Sequence, residues 1–129
     1  MANPNIVNVT SIEAGNAAWA LTTTLTTTLL TVATDYIVKI NTILATNIHA
    51  TNATALSLEI NGLGAGGTGV TMAGTLATCR IASTINIPAD DILVVVDKPI
   101  YLIEGDVLRG GANPATCELF ISYEVINDA

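Results

Sequence analysis

From Cys117 to Val125 every second residue is apolar: Cys117, Leu119, Ile121, Tyr123 and Val125 on one side, with Glu118, Ser122 and Glu124 among those between them. A two-residue period does not fit one face of a helix and describes a strand with one buried side. Such a strand belongs to a sheet, and the sheet needs a second layer over its apolar face. The rest of the chain offers that layer.

Tyr36, Val38, Ile40, Leu44 and Ile48 are read as one face of a long strand over Tyr36–Ile48, with Lys39, Asn41, Ala45 and Asn47 on the other. A strand of this length is expected to bend or bulge. After a turn at Ala50–Ala53, Leu56, Leu58 and Ile60 alternate with Ser57 and Glu59, and this strand is expected to pair antiparallel with the long one. Cys79, Ile81, Ile85 and Ile87 alternate with Arg80, Ala82, Thr84 and Asn86 as far as Pro88. Ile92–Val96 is an unbroken apolar run, the pattern of a strand covered on both faces. Ile100–Ile103 and Val107–Leu108 flank Glu104-Gly105-Asp106, where Gly105 supplies the positive φ that a tight turn needs. The chain is thus expected to close as a meander ending in the Cys117–Ile126 strand.

Nearer the start, Ile6–Ile12 reads as a first strand and Glu13-Ala14-Gly15-Asn16 as a turn. Ala17–Leu21 and Leu25–Val32 read as two further strands, although Trp19 and its alanines leave a short helix open. Threonine runs at 22–24 and 26–28, then Thr31 and Thr34, fit strands because the β-branched side chain packs its methyl while its hydroxyl meets water. The expected fold is all-β: an antiparallel β-sandwich, jelly-roll-like or immunoglobulin-like, of about eight to ten strands with turns every 8–12 residues. Residues 1–129 are read as one domain.

Charge narrows the classes of partner. Four basic against eleven acidic residues give a net charge of −7, which disfavours binding to nucleic acid or to an anionic membrane surface. Only 12% of residues are charged, about half the usual share, so a lone chain is short of groups to solvate its surface. Subunit or lattice contacts are expected. The start, Met1-Ala2-Asn3-Pro4-Asn5, has neither the basic nor the apolar region of a secretory leader. The uncharged stretches after Ala14 and Ile60 are too rich in Thr and Gly for a membrane helix.

No catalytic grouping and no cofactor motif is found. The Gly-rich segment Asn61–Gly74 lacks both the Gly-Lys-Ser/Thr ending and the GxGxxG spacing of a phosphate loop, and reads as a partner-contacting loop. His49 stands without a Ser, Cys or Asp at motif spacing and reads as a surface or turn histidine. Cys79 and Cys117 fall on the apolar faces of their strands, as two buried thiols or as a disulfide between neighbouring strands. Asp90, Asp91, Asp97, Glu104 and Asp106 read either as turn residues or as carboxylates converging on Ca²⁺, and no metal site is assigned from them. Phe120 is the one apolar residue on the outward side of the last strand. It is a candidate subunit contact, unless the chain covers that face itself.

The segments MANPNIVNVTSI, RIASTINIPADDILVVV and PIYLIEGDVLRGGANPATCELFISYEVI together resemble small virion structural proteins of tailed bacteriophages, especially those of marine cyanobacteria. Such proteins decorate or cement capsids. The resemblance implies a non-enzymatic all-β module on the outer surface of the virion, a homotrimer that bridges subunits of the major capsid protein. A receptor- or glycan-binding module of a head or tail fibre is the alternative, and a small hydrolase is disfavoured because no nucleophile is paired with a base.

Overall fold

The computed structural model describes residues 10–63, 69 and 71–127. They hold no helix, and nine strands follow one another: β1 (Ser11–Ala20), β2 (Thr27–Thr31), β3 (Tyr36–Asn47), β4 (Thr54–Asn61), β5 (Thr78–Ile87), β6 (Ile92–Val96), β7 (Ile100–Leu102), β8 (Val107–Asn113) and β9 (Cys117–Asn127). Two antiparallel sheets result. One runs β1-β9-β3-β6 with β7 also on β3; the other runs β2-β8-β4-β5.

The pairing follows a single rule. The first strand joins the last, β2 joins β8, β3 joins β6 and β7, and β4 joins β5. The chain is a long two-stranded ribbon, with the β4–β5 connection at its tip, rolled up so that successive pairs fall in alternate sheets. β6 meets Ile43–Thr46 and β7 meets Val38–Ile40, so together they fill one strand position, broken at Asp97-Lys98-Pro99. Two four-position sheets wound in this way make a jelly roll. The immunoglobulin-like alternative is set aside by the pairing of first strand with last.

Between the sheets lie the fully buried Ile40, Ile43 and Ala45 of β3 and Leu119 and Ile121 of β9. They face Leu56 and Leu58 of β4 and Leu108 and Ala112 of β8. Each large aliphatic side chain so buried contributes about 1.5–3 kcal/mol. The loop after β1 closes over the second sheet: Thr22 accepts a hydrogen bond from the Ala112 N–H at 2.9 Å. A Cβ at Gly111 would stand 2.4 Å from the Thr24 carbonyl oxygen, so only glycine lets the loop cross there.

Several expectations are corrected. Glu13–Asn16 is no turn, because β1 runs through it with each residue opposite one of β9. Trp19 lies in the same strand, not in a helix, and Leu25–Val32 contracts to β2. The proposed first strand from Ile6 lies outside the described residues as far as Val9. β3 and β4 do not pair; the chain passes from one sheet to the other between them. The closing segment is likewise no meander, since β7, β8 and β9 alternate between sheets. Ile92–Val96 is an edge strand whose Ile92 and Val94 are each 53% exposed, not covered on both faces.

β3 departs from expectation half-way along its length. Its register against β9 slips between Ile40 and Thr42, so Asn41 is an extra, bulged residue. A one-residue slip exchanges the faces. Val38 and Ile40 point inward as expected, but beyond the bulge Ile43, Ala45 and Asn47 are buried while Leu44 turns outward and Ile48, past the strand end, is exposed.

Candidate interaction surface

The bulge at Asn41 assembles an apolar surface on the outside of the first sheet. Cross-strand register places Val94 of β6, Leu44 of β3, Phe120 of β9 and Ala18 of β1 in one row. Val94 is 53% and Phe120 37% exposed. One row further along, Ile92 adjoins Thr46, and Ile48 stands exposed just past the strand end. Apolar residues facing water in a contiguous row mark contact surfaces, whereas single ones do not. Phe120 therefore lies where the alternation places it, on the outward face, and it stands exposed at the middle of the row.

The outside of the second sheet is of a different kind. There Arg80 of β5, Glu59 of β4, Arg109 of β8 and Thr28 of β2 are in register across four strands. The Arg109 guanidinium donates to the Glu59 carboxylate at 3.1 Å. Two of the chain's four basic residues thus flank one acid in register, and one of them is paired with it. Next to this row a cleft of about 80 Å³ opens between Leu25 and Thr26 of the loop after β1, Ser57 and Glu59, and Arg80, Ser83 and Thr84 of β5. Its outer wall is a bulge in β5, where Thr84 takes a φ of 48° and gives its N–H to the Ser57 hydroxyl at 3.1 Å.

The five acidic residues weighed for calcium do not converge. Asp90 and Asp91 turn the chain beside the far end of β3, where the Asp91 backbone carbonyl accepts from the Asn47 N–H. Glu104 and Asp106 sit beside its near end, where Glu104 accepts from the Asp35 N–H at 2.9 Å. Among the described residues no three His, Cys, Asp or Glu side chains are grouped to hold a metal ion. The turn reading fits what is seen: Asp106 accepts from the Ile103 N–H at 3.0 Å, and Gly105 has a φ of 88°. Both side chains are nonetheless buried, and Glu104 Oε1 and Asp106 Oδ1 have no hydrogen-bond partner. Burial pushes the Asp106 carboxyl above its ordinary value, only partly offset by the bond from Ile103.

At the opposite end Asn47, assigned from the sequence to a polar face, is wholly buried and ties three connections together. Its amide donates to the carbonyls of Asn52, Ile87 and Pro88, and its oxygen accepts from the His49 N–H and the Thr116 hydroxyl. His49 is a turn residue, as read: its Nδ1 accepts the N–H groups of Thr51 and Asn52. One of the two thiols differs from expectation. Cys117 is buried, but Cys79, in register with Ile60 near the start of an edge strand, is exposed, and both are free. Burial, and more weakly the charge of Glu118, raise the Cys117 thiol to about 11 against a lowering bond to Thr46. Of the Gly-rich segment, residues 64–68 and 70 lie outside the described residues.

Against known proteins the chain stands apart: no family model, no curated protein and no solved structure matches it. Sequence reading missed Leu44, Val94 and Ile92 as surface residues. Only the length of β3 hinted at the bulge that turns Leu44 outward.

Proposed function

We propose that this chain is a non-enzymatic structural protein of a bacteriophage particle, which decorates the capsid and bridges major capsid subunits as a homo-oligomer. The observation that carries the reading is the exposed row Val94, Leu44, Phe120 and Ala18 on a module so poor in charge. An apolar strip with Thr42, Ser122 and Asn16 along one side and Thr46 and Glu118 on the other has the make-up of a contact core with its rim. Many copies placed by capsid symmetry attach firmly even when each contact is weak. Two further points agree: the sequence resemblance already described, and a jelly roll, an architecture shared by capsid and lectin domains. The fold alone decides nothing. The excess of acidic groups suits the outside of a shell better than its DNA-facing side.

Cryo-electron microscopy of the particle is the test. Density for the jelly roll on the head surface, with the Phe120 face against the shell, is expected; heads without the chain overturn the reading. Purified chain bearing Phe120→Ser should keep its melting temperature and lose attachment to heads. The second reading, a glycan-binding module of a head or tail fibre, is favoured by the cleft to which Thr26, Ser57, Ser83 and Thr84 bring hydroxyls beside Glu59 and Arg80, among the apolar Leu25, Leu58 and Ala82. Glycan-array binding abolished by Ser83→Trp would replace the first reading with this one.

A further inference from the structure

Every open sheet has two edges, and natural sheets blunt them against pairing with other chains by short length, bulges, proline or charge. Three of the four edges here are blunted. β2 is five residues long with a register shift between Thr28 and Leu30. β5 carries Arg80, two register shifts and the left-handed Thr84. The β6–β7 edge is split at Asp97-Lys98-Pro99 and slips again opposite Ile43 and Leu44.

β1 has none of these devices. Ser11–Ala20 keeps one register against β9 throughout, contains no proline and has Glu13 as its sole charge. Just past its end the Leu21 N–H donates to the Cys117 carbonyl at 2.9 Å, which sets the alternation for the strand. The odd-numbered residues exchange hydrogen bonds with β9. The even-numbered ones, Ile12, Ala14, Asn16, Ala18 and Ala20, direct N–H and C=O to the open side, where no described strand meets them.

We infer that this edge pairs, antiparallel, with β1 of a second copy of the chain, about a twofold axis at Asn16. The occupant follows from the symmetry of the strand itself. The outward-directed groups run from Ile12 to Ala20, and Asn16 is their midpoint. Pairing about it opposes Ile12 to Ala20, Ala14 to Ala18 and Asn16 to Asn16, using every free group. The alternate residues then oppose Glu13 to Trp19 and Gly15 to Ala17, so no like charges face one another. Small side chains at Ala14, Ala18 and Ala20 let the second sheet continue the first without a step. The contact is isologous, as a twofold interface requires, and joins two four-position sheets into one of eight.

Sedimentation of the purified chain over a concentration series tests this, with two variants. The wild type is expected to reach twice the monomer mass. Ala14→Pro removes an N–H that faces the open edge and leaves the β9 ladder whole; it is expected to keep the wild-type circular dichroism and to remain monomeric. In a Cys79→Ser background, Asn16→Cys is expected to give a covalent dimer on mild oxidation, since directly opposed residues fall within disulfide reach. A wild type that stays monomeric or reaches three times the monomer mass, a folded Ala14→Pro that still dimerises, or no cross-link through Asn16→Cys would overturn the pairing. None of these results bears on attachment to heads, so this inference and the capsid reading fail separately. A threefold mass would restore the trimer that the resemblance implies.

Discussion

The ring of Tyr123 lies across the backbone of Gly15, its partner on the neighbouring strand, so closely that a Cβ at Gly15 would stand 2.6 Å from Tyr123 Cζ. That contact explains why a Gly-Asn pair, which reads as a turn, instead stays extended. The aromatic ring covers the gap that glycine leaves in a strand, as cross-strand aromatics do elsewhere. Gly15→Ala is expected to cost about 1–3 kcal/mol by overpacking. Urea denaturation measures it, and Tyr123→Leu in the same chain should recover most of the loss, because it removes the atoms that clash.

Asn47 is the joint of the opposite end. Replacing it with alanine leaves three carbonyls, one N–H and one hydroxyl without the bond to Asn47, one of them buried and the rest half-buried. Losing such a network is expected to cost about 3 kcal/mol or more. Asn47→Asp, which keeps the acceptor for His49 and Thr116 but loses the donor, should cost nearly as much by the same measurement.

Thiol chemistry separates the cysteines. With Cys117 buried and its pKa raised to about 11, a native chain should titrate one thiol, Cys79, with a disulfide reagent at neutral pH. Two should titrate in denaturant. Fast labelling of Cys117 in the folded chain would mean that β9 leaves its place between β1 and β3.

Asp106 makes a prediction about pH. A carboxyl raised on folding holds its proton more tightly in the folded chain than in the unfolded one. Its contribution is therefore greatest below the ordinary value of 3.8 and is lost as pH climbs through the raised one. Asp106→Asn keeps an acceptor for the Ile103 N–H and cannot ionise. The urea midpoint of the wild type, relative to this variant, should fall as the pH is raised from the ordinary value of 3.8 towards neutrality. A difference that stays constant across that range would rule out the burial of Asp106 as its cause.

How far the molecule was legible depends on where its ladders slip. β9 was read correctly over Cys117–Val125 because it has ten unshifted partners in β1 and its slip against β3 falls on the other strand, but Ile126, on the outward side by that alternation, is buried. β3 was read correctly up to Asn41 and inverted after it. In β5 the two shifts break the alternation again, which is why Ala82 is buried where Ile81 and Ile85 were expected. Periodicity also carries no address: the strand pairings join residues remote in sequence, and nothing local to β4 tells that it will meet β8 rather than β3. Phe120 was legible as an outward aromatic, but the row it belongs to was not, since Leu44 had been placed inside and Ile92–Val96 thought covered.

Because β9 stands between β1 and β3, the first sheet has no middle until the last strand has been synthesised. A nascent chain halted before Cys117 carries β1 with nothing to pair it and β3 with one side unfilled. Local turns do little to shorten the search, so closure is a late, slow event of the high-contact-order kind. Until then the ribbon is an open substrate for proteases and for other unfinished copies of itself.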